Sequence, residues 1–409
     1  MPRVPLTIVG QAYSSRSKFV DVQEMINLYP EKEDANSSTI LALIGTAGLR
    51  KLGNGVAGNW RGLYTTGNGR LFGVANDTLY EISSNGKTTA LGTLSSVRGY
   101  VSMVDSGISS QTTQLHQLFI VDSVAGYCYD LQTNTLSLIT APAFPTNPTA
   151  VAYKDGYFFV AIPNSNQFRF SSIYDCTQWD ALDIMTKEGS SDNIVQLIKM
   201  SNELWVVGQK TIEVWYSTGN GDTPIARMLN ATIDIGTAAA KSVNVNNNNI
   251  FWLGGNPAGY GSIFHATGYV PTRISTHAIE YQIGQMPRID DAVAYSYQQE
   301  GHFFYSISFP TGDKTFVFDL STGLWHEKAY WNQPNGQFEY HRALFHAAAF
   351  DENVVADKNN GLLYILDLDY YTDNGDIIRR VRTLPHIDKQ NRNVFYNELE
   401  LHMQKGAGL

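Results

Sequence analysis

Apolar and polar positions alternate along this chain in a phrase that returns seven times. A short polar or Gly turn leads into an apolar strand, and a second strand follows a few residues later. The first strands contain Arg70–Val74, Gln117–Val121, Gly156–Val160, Glu203–Val207, Asn249–Leu253, Gly301–Tyr305 and Asn353–Ala356. Their partners are Leu79–Ile82, Tyr127–Asp130, Phe168–Phe170, Ile212–Trp215, Ile263–His265, Phe316–Asp319 and Leu363–Leu366. From Leu71 through Leu118, Tyr157, Leu204, Ile250, His302 and Val354 the steps are 47, 39, 47, 46, 52 and 52 residues. A period of roughly 40–50 residues with several strands per unit predicts a β-propeller.

Each unit has room for four strands. Opening strands are expected at Trp60–Thr66, Val97–Val104, Thr149–Tyr153, Ile194–Met200, Lys241–Val245, Ala292–Tyr297 and Ala343–Phe350. Closing strands are expected at Thr88–Leu94, Leu136–Thr140, Ala181–Met185, Ala226–Ala231, Tyr269–Ser275, Leu324–Lys328 and Ile377–Leu384. Asn or Asp stands beside Gly at Asn68-Gly69, Asn85-Gly86, Asp155-Gly156, Asn360-Gly361 and Asn374-Gly375, the chemistry of tight hairpins. Asn246–Asn249 occupies the same turn position. The reading is an all-β propeller of seven blades, each of about four antiparallel strands, over residues 59–385. Six blades remain an option if the last unit belongs to another layer. Residues 1–58 read as strand, loop, strand and turn, with Gly45–Leu49 as the turn. This segment either ties the ring closed with an extra strand or runs over one face. Asn397–Gln404 reads as one more strand within a C-terminal β region, 386–409.

Composition narrows the class. Of 409 residues, 43% are hydrophobic and 16% charged, which suits a packed strand-rich protein and argues against disorder. The 23 Tyr, 19 Phe and 7 Trp fit inter-blade packing and cross-strand pairs. A net charge of −9, with no basic cluster beyond Arg379, Arg380 and Arg382, argues against a protein that grips nucleic acid by neutralising phosphates. Residues 1–18 lack an apolar run of signal-peptide length, and nothing approaches a membrane span, so no membrane insertion is expected and synthesis in a cytoplasm is. Cys128 and Cys176 fall in the second and third units. They either form a disulfide or stay as reduced buried thiols, and a cytoplasmically assembled protein fits the second better.

The sequence offers little that could do chemistry. There is no phosphate-binding Gly-x-x-x-x-Gly-Lys-Ser/Thr, no His-Glu-x-x-His, no Cys-x-x-Cys and no Gly-x-Ser-x-Gly. The Gly-Asn-Gly triplets at 53–55, 67–69 and 219–221 read as turns. His341 and His346 lie five positions apart, on opposite faces if both belong to a strand, and read as unrelated. Asp290-Asp291 and the group Asp367, Asp369, Asp373 and Asp376 lack the alternation and closing Glu of a calcium loop, so they read as solvated turns. Ser321–Trp325 is similar to the Asp-box turn of sialidases but lacks its Asp and occurs once, so it reads as a hairpin turn before a core Trp. No residue is singled out as catalytic, cofactor-binding or metal-ligating, no cofactor is expected, and the chain is read as no enzyme.

Three stretches carry a resemblance. Asn27-Leu28-Tyr29-Pro30-Glu31 followed by Gly45-Thr46-Ala47-Gly48-Leu49 resembles the opening of the packaged-DNA stabilization proteins of short-tailed bacteriophages, with Ala47 where that pattern usually has proline. Lys210–Gly219 and Ile274–Glu280 are similar to phrases in the fourth and fifth blades of that family. Asn397–Leu401 looks like the strand that leads into a further C-terminal region in relatives, which implies a truncated chain. The resemblance implies a tail hub, or nozzle, in the virion, assembled in the host bacterial cytoplasm as a hexameric ring. Its implied partners are the portal and head-to-tail adaptor, tailspikes or fibres, and a tail needle or plug. Duplex DNA would pass through the ring without sequence-specific binding, and an acidic lumen would let it slide. The alternative is a propeller-type carbohydrate-binding or glycoside hydrolase protein of the virion. A cellular scaffold that binds peptides is a third reading. The loop Glu31–Thr39, the insertion Ala329–Tyr340 and the region after Leu384 lie outside the repeat and are the expected contacts between subunits.

Overall fold

A computed structural model describes residues 9–10, 12–14, 22–32, 41–107, 116–246, 248–255 and 261–384, with positions 398 and 400. Seven antiparallel sheets stand around one axis, each opened by an inner strand and built outward strand by strand. The inner strands are Trp60–Thr65, Ser102–Asp105, Val151–Lys154, Ile194–Met200, Asn244–Asn246, Val293–Gln299 and Ala343–Ala349. Blade 7's inner strand packs beside blade 1's, so the ring is closed. Blade 4 illustrates the register: Met200 faces Glu203, Leu204 faces Trp215 and Trp215 faces Arg227 across its four strands.

Second strands are the most apolar because both of their faces are covered. In Leu71–Ala75, Gln117–Val121 and Glu203–Gly208 nearly every residue is buried. Aromatics cluster between neighbouring blades, as with Phe251 stacked on Tyr305 at 4.8 Å and Phe168 edge-on to Trp215 at 5.4 Å. Several expected opening and closing strands are shorter than the pattern implied. Blade 5 opens at Asn244 and not at Lys241, because Ala240–Ser242 form a 3₁₀ turn.

The seventh blade corrects the sequence reading. Its closing strand is Gly48–Leu52, antiparallel to Leu363–Asp367, and not Ile377–Leu384. Of the two options for the N-terminal segment, tying the ring closed is the one adopted. Gly48 and Leu49, read as part of a turn, lie in that strand. A Cβ at Gly48 would sit 2.0 Å from the Tyr370 carbonyl oxygen, so the crossing chain admits only glycine there. Leu28–Lys32 and Leu41–Gly45 form a hairpin beside it. Residues 376–377 and 381–382 add short strands to the rims of blades 7 and 6. The strand expected at Asn397–Gln404 lies outside the described residues.

The two cysteines are also corrected. Cys128, on the third strand of blade 2, is disulfide-bonded to Cys176, on the long loop of blade 3, with Cα atoms 6.1 Å apart. That loop folds back onto blade 2, where the Gln117 side chain accepts from the Cys176 amide at 2.8 Å and Trp179 packs on Phe119 and Phe144.

Candidate assembly surface

Residues 25–32, the insertion 329–340 and residues 372–382 meet on the rims of blades 6 and 7, and Asn27 is their common fastening. Residues 33–39 of the expected contact loop and the region after Leu384, positions 398 and 400 aside, lie outside the described residues. Asn27 holds φ of +56°, a left-handed conformation that Asn tolerates better than most residues, and turns the chain between two strands. Its side-chain amide donates to the carbonyls of Ala329 and Arg379 at 2.8 and 2.9 Å. Its carbonyl oxygen accepts from the Ala329 amide at 2.9 Å. Its backbone reaches Glu327 and Thr46. One buried residue thus joins the N-terminal segment, blade 6, the insertion after it and the segment that follows blade 7.

Two residues on, Tyr29 packs edge-on to His302 and Phe304, with ring centroids 5.1 and 5.3 Å away, and lies against His326. Burial, reinforced by Glu31, pushes its hydroxyl up to about 12. His302 in turn meets Asp319 at 2.8 Å. Behind this layer lie Lys328 and Asp373, both almost fully buried. Lys328 faces Tyr297, its amine 3.5 Å from the hydroxyl, and burial lowers it to about 8 although Asp373 opposes the shift. Burial raises Asp373 to about 7 against the pull of Lys328 and Arg342. Asp373 therefore is no solvated turn. Asp367 pairs with Arg50 at 2.5 Å, and Asp376 with Arg342 at 3.0 Å.

The insertion expected as a loop at Ala329–Tyr340 is a hairpin, with Ala329–Asn332 paired to Gln337–Tyr340. Its base is fixed by cations over aromatic rings. The Arg379 guanidinium lies 4.3 Å from the Trp331 ring, and the Lys358 amine 3.6 Å from that of Tyr340. Its tip, residues 333–337, is exposed and uncharged.

The propeller axis is bridged by side chains. Lys241, at the entry to blade 5, donates to the Ser102 hydroxyl of blade 2 at 2.6 Å. Tyr100, entering blade 2, packs on Phe345 of blade 7 and reaches the Asp291 carbonyl at the entry to blade 6. Burial brings Lys241 down to about 8. An axis crossed at these points leaves no passage for a duplex whose major groove alone is about 12 Å wide.

The other candidate residues are engaged within the fold, apart from Asp290, which lies in an exposed ion pair. His341 accepts from the Ala343 amide and His346 Nε2 donates to the Asn353 side-chain oxygen, so each has its own partner, and burial holds both rings below their ordinary range, His346 at about 4. Asp290 pairs with Arg288, and Asp291 accepts from Thr311 at 2.8 Å. Asp319 closes the turn before Trp325, whose indole donates to Ile274 at 2.8 Å. In the stretch Lys210–Gly219, Glu213 is buried against the Gly189 amide and Arg227. Thr211 binds Asp192. Burial alone would raise that carboxyl, but Lys187 and backbone donors hold it at about 2. In Ile274–Glu280, Thr276 caps the helix His277–Gly284, and Glu280 pairs with Arg273 and Ser275. Among the described residues no three His, Cys, Asp or Glu side chains group as metal ligands, and no helix is long and apolar enough to cross a membrane. Sequence reasoning missed Asn27, Lys328 and Arg379 as fastenings; the Asn-x-Tyr signature was the one local signal pointing to the first.

Residues 2–371 match the protein family described as bacteriophage P22 Gp10, β-propeller. No curated protein matches the chain. Among solved structures it is similar to the WD40 domain of Pan2 from Neurospora crassa, at 11% identity and a TM-score of 0.50, over 79% of this chain and 97% of that one. The extracellular domain of a putative one-component system from B. thetaiotaomicron gives 9% identity and a TM-score of 0.49, over 78% of this chain and 40% of that one. At such identities the likeness is one of fold alone.

Proposed function

The chain belongs to the bacteriophage P22 Gp10 β-propeller family, and from that premise we propose that it is the subunit of a tail hub, a six-membered ring that retains packaged DNA and forms the conduit for its exit. Its coarser role follows from the family: it is a structural component of a phage virion that stabilises packaged DNA. The observation that carries the finer reading is the bridged axis, with Lys241 on Ser102 and Tyr100 on Phe345. DNA that does not thread the propeller needs an opening between copies, and a head-to-tail contact closes into a ring when its rotation matches the symmetry. The hairpin Ala329–Tyr340, built on the rim by Arg379 and Asn27, is suited to such a contact. Portal and adaptor above, and tailspikes, fibres or a needle below, would dock on the two ends of the ring. The net charge of −9 suits a lumen along which phosphates slide. Light scattering on the purified chain tests the reading: six copies per particle support it, and a monomer at every concentration defeats it.

A further inference from the structure

The seven outer rims differ in how their free strand edges are protected. An exposed edge offers unpaired N–H and C=O groups to another chain, and proteins blunt it with charge, proline, shortness or a covering segment. Blade 6 is covered by residues 25–26 and 381–382, and blade 7 by Asp373 and residues 376–377. Blade 5 closes with Pro271-Thr272-Arg273, three residues with a proline and a charge. Blade 4 closes with Ile225-Ala226-Arg227, and blade 3 with only three residues, Ile184–Thr186. Blade 1 has a single bulge between Ala90 and Gly92, with Lys87 exposed just before its closing strand and no charge within it. Its closing strand Thr88–Thr93 is six residues long, with Thr89, Ala90 and Thr93 exposed, and carries neither charge nor proline. Blade 2 closes with Thr135-Leu136-Ser137-Leu138, equally uncharged. The two edges adjoin, since a Cβ at Gly92 would lie 2.7 Å from the Leu136 side chain. No charged residue occurs in 88–97 or in 131–153. Val97, Val124 and Leu138 on these blades are each about half exposed.

We infer that the double rim of blades 1 and 2, whose two closing strands carry no charge, is a β-edge docking surface whose occupant is a second copy of the chain, presenting its 329–340 hairpin. The inference rests on the ring reading above and names the contact within it. A head-to-tail ring needs two unlike surfaces per copy. The hairpin is one: a two-stranded sheet without a third strand among the described residues, with an exposed, uncharged tip. The rim is its counterpart, an unpaired edge that supplies the missing strand partner. Charge argues for a copy as occupant. Two chains of net −9 repel, and the approach costs least where the uncharged hairpin tip, residues 333–337, meets the two closing strands that carry no charge.

The test places a lysine gatekeeper on the edge of the full chain, as Ala90→Lys with Thr93→Lys, beside Thr272→Lys on blade 5 as control. Light scattering and thermal melting are read on each. Expected are a ring for the wild type and the control, and for the rim variant at least tenfold weaker association with an unchanged melting temperature. A second, independent arm combines Thr89→Cys and Gln337→Cys, which under mild oxidation should link copies into a ladder ending at the ring. If the rim variant does not melt cooperatively, the cysteine arm decides. A ring that persists in the rim variant, a control that loses it equally, or cysteines that do not cross-link overturns the rim assignment and leaves the ring reading standing. A ring that persists while a different virion protein no longer binds also overturns it, because the occupant is then not a copy. A wild type that stays monomeric overturns the ring reading itself.

Discussion

Blades 1 to 5 and blades 6 and 7 are built from the same strands but completed in different ways. Each of the first five takes all four strands from one continuous stretch, so its sheet is sealed by neighbours in sequence. The last two are completed from afar: Gly48–Leu52 closes blade 7, and residues 25–26 and 381–382 extend blade 6. What changes with the connectivity is the span of the buried polar contacts. In blades 1 to 5 groups such as Arg61, Lys187 and Glu213 are buried against partners in the same or the next blade, beside an aliphatic and aromatic packing of the kind formed by Val206, Trp215 and Phe168. At the junction of blades 6 and 7 the core admits Lys328, Asp373, His326, His341 and the fully bonded Asn27. Repetition supplies generic cohesion, while a single closure needs contacts that occur once and therefore specify one register.

The largest effect should come from breaking that closure. Leu49 is fully buried in the strand that seals blade 7. Leu49→Asp places an unpaired charge there and should abolish cooperative folding, whereas Leu91→Asp on the half-open rim of blade 1 should cost no more than about 1–2 kcal/mol. Denaturant titration separates them, and equal losses would erase the distinction between the two regions. Next in size is the disulfide, which fastens blade 2 to blade 3 across 48 residues. The chain-entropy account assigns such a loop about 4 kcal/mol, so Cys128→Ala with Cys176→Ala should lower stability by that order and remain folded. Loss of the fold would mean that the regular blades also depend on a single long-range fastening.

Asp373 gives a smaller, pH-dependent effect. Its folded-state value of about 7 lies above the ordinary 3.8, so its contribution to stability is fully present below about 4 and is lost as pH rises through 7. Asp373→Asn should remove that loss and flatten the stability profile between these limits, a difference on the order of 2–4 kcal/mol at pH 8 and near zero at pH 4. Parallel profiles for wild type and variant would place the carboxyl in contact with water. Smallest in stability is removal of the hairpin tip, residues 333–337, which are all exposed. Its loss should shift the melting midpoint by less than about 0.5 kcal/mol equivalent while weakening association of copies.

Seven blades were legible because their cues are local. Hairpin turns such as Asp155-Gly156 and short apolar runs such as Glu203–Gly208 are set by residues within one blade. Closure was not legible, since Gly45–Leu49 reads locally as a turn and its partner lies more than three hundred positions away; Arg50 and Asp367 are separated by 317. The disulfide was hidden for a related reason: nothing near Cys176 announces that its loop folds back on the preceding blade. Asp373 read as solvated because acidic residues crowd its neighbourhood, yet the crossing of the N-terminal strand buries it. Of the candidate assembly surface, the insertion at Ala329–Tyr340 was legible by its break in period. The Arg379 and Asn27 contacts that hold it were not.

The most direct test of the account is an electron micrograph of the purified full chain, averaged along the particle axis. The account predicts a closed ring of six propellers around an opening wide enough for duplex DNA, with each propeller's own axis filled. Isolated propellers, or a ring whose only holes run through the propellers themselves, would contradict it.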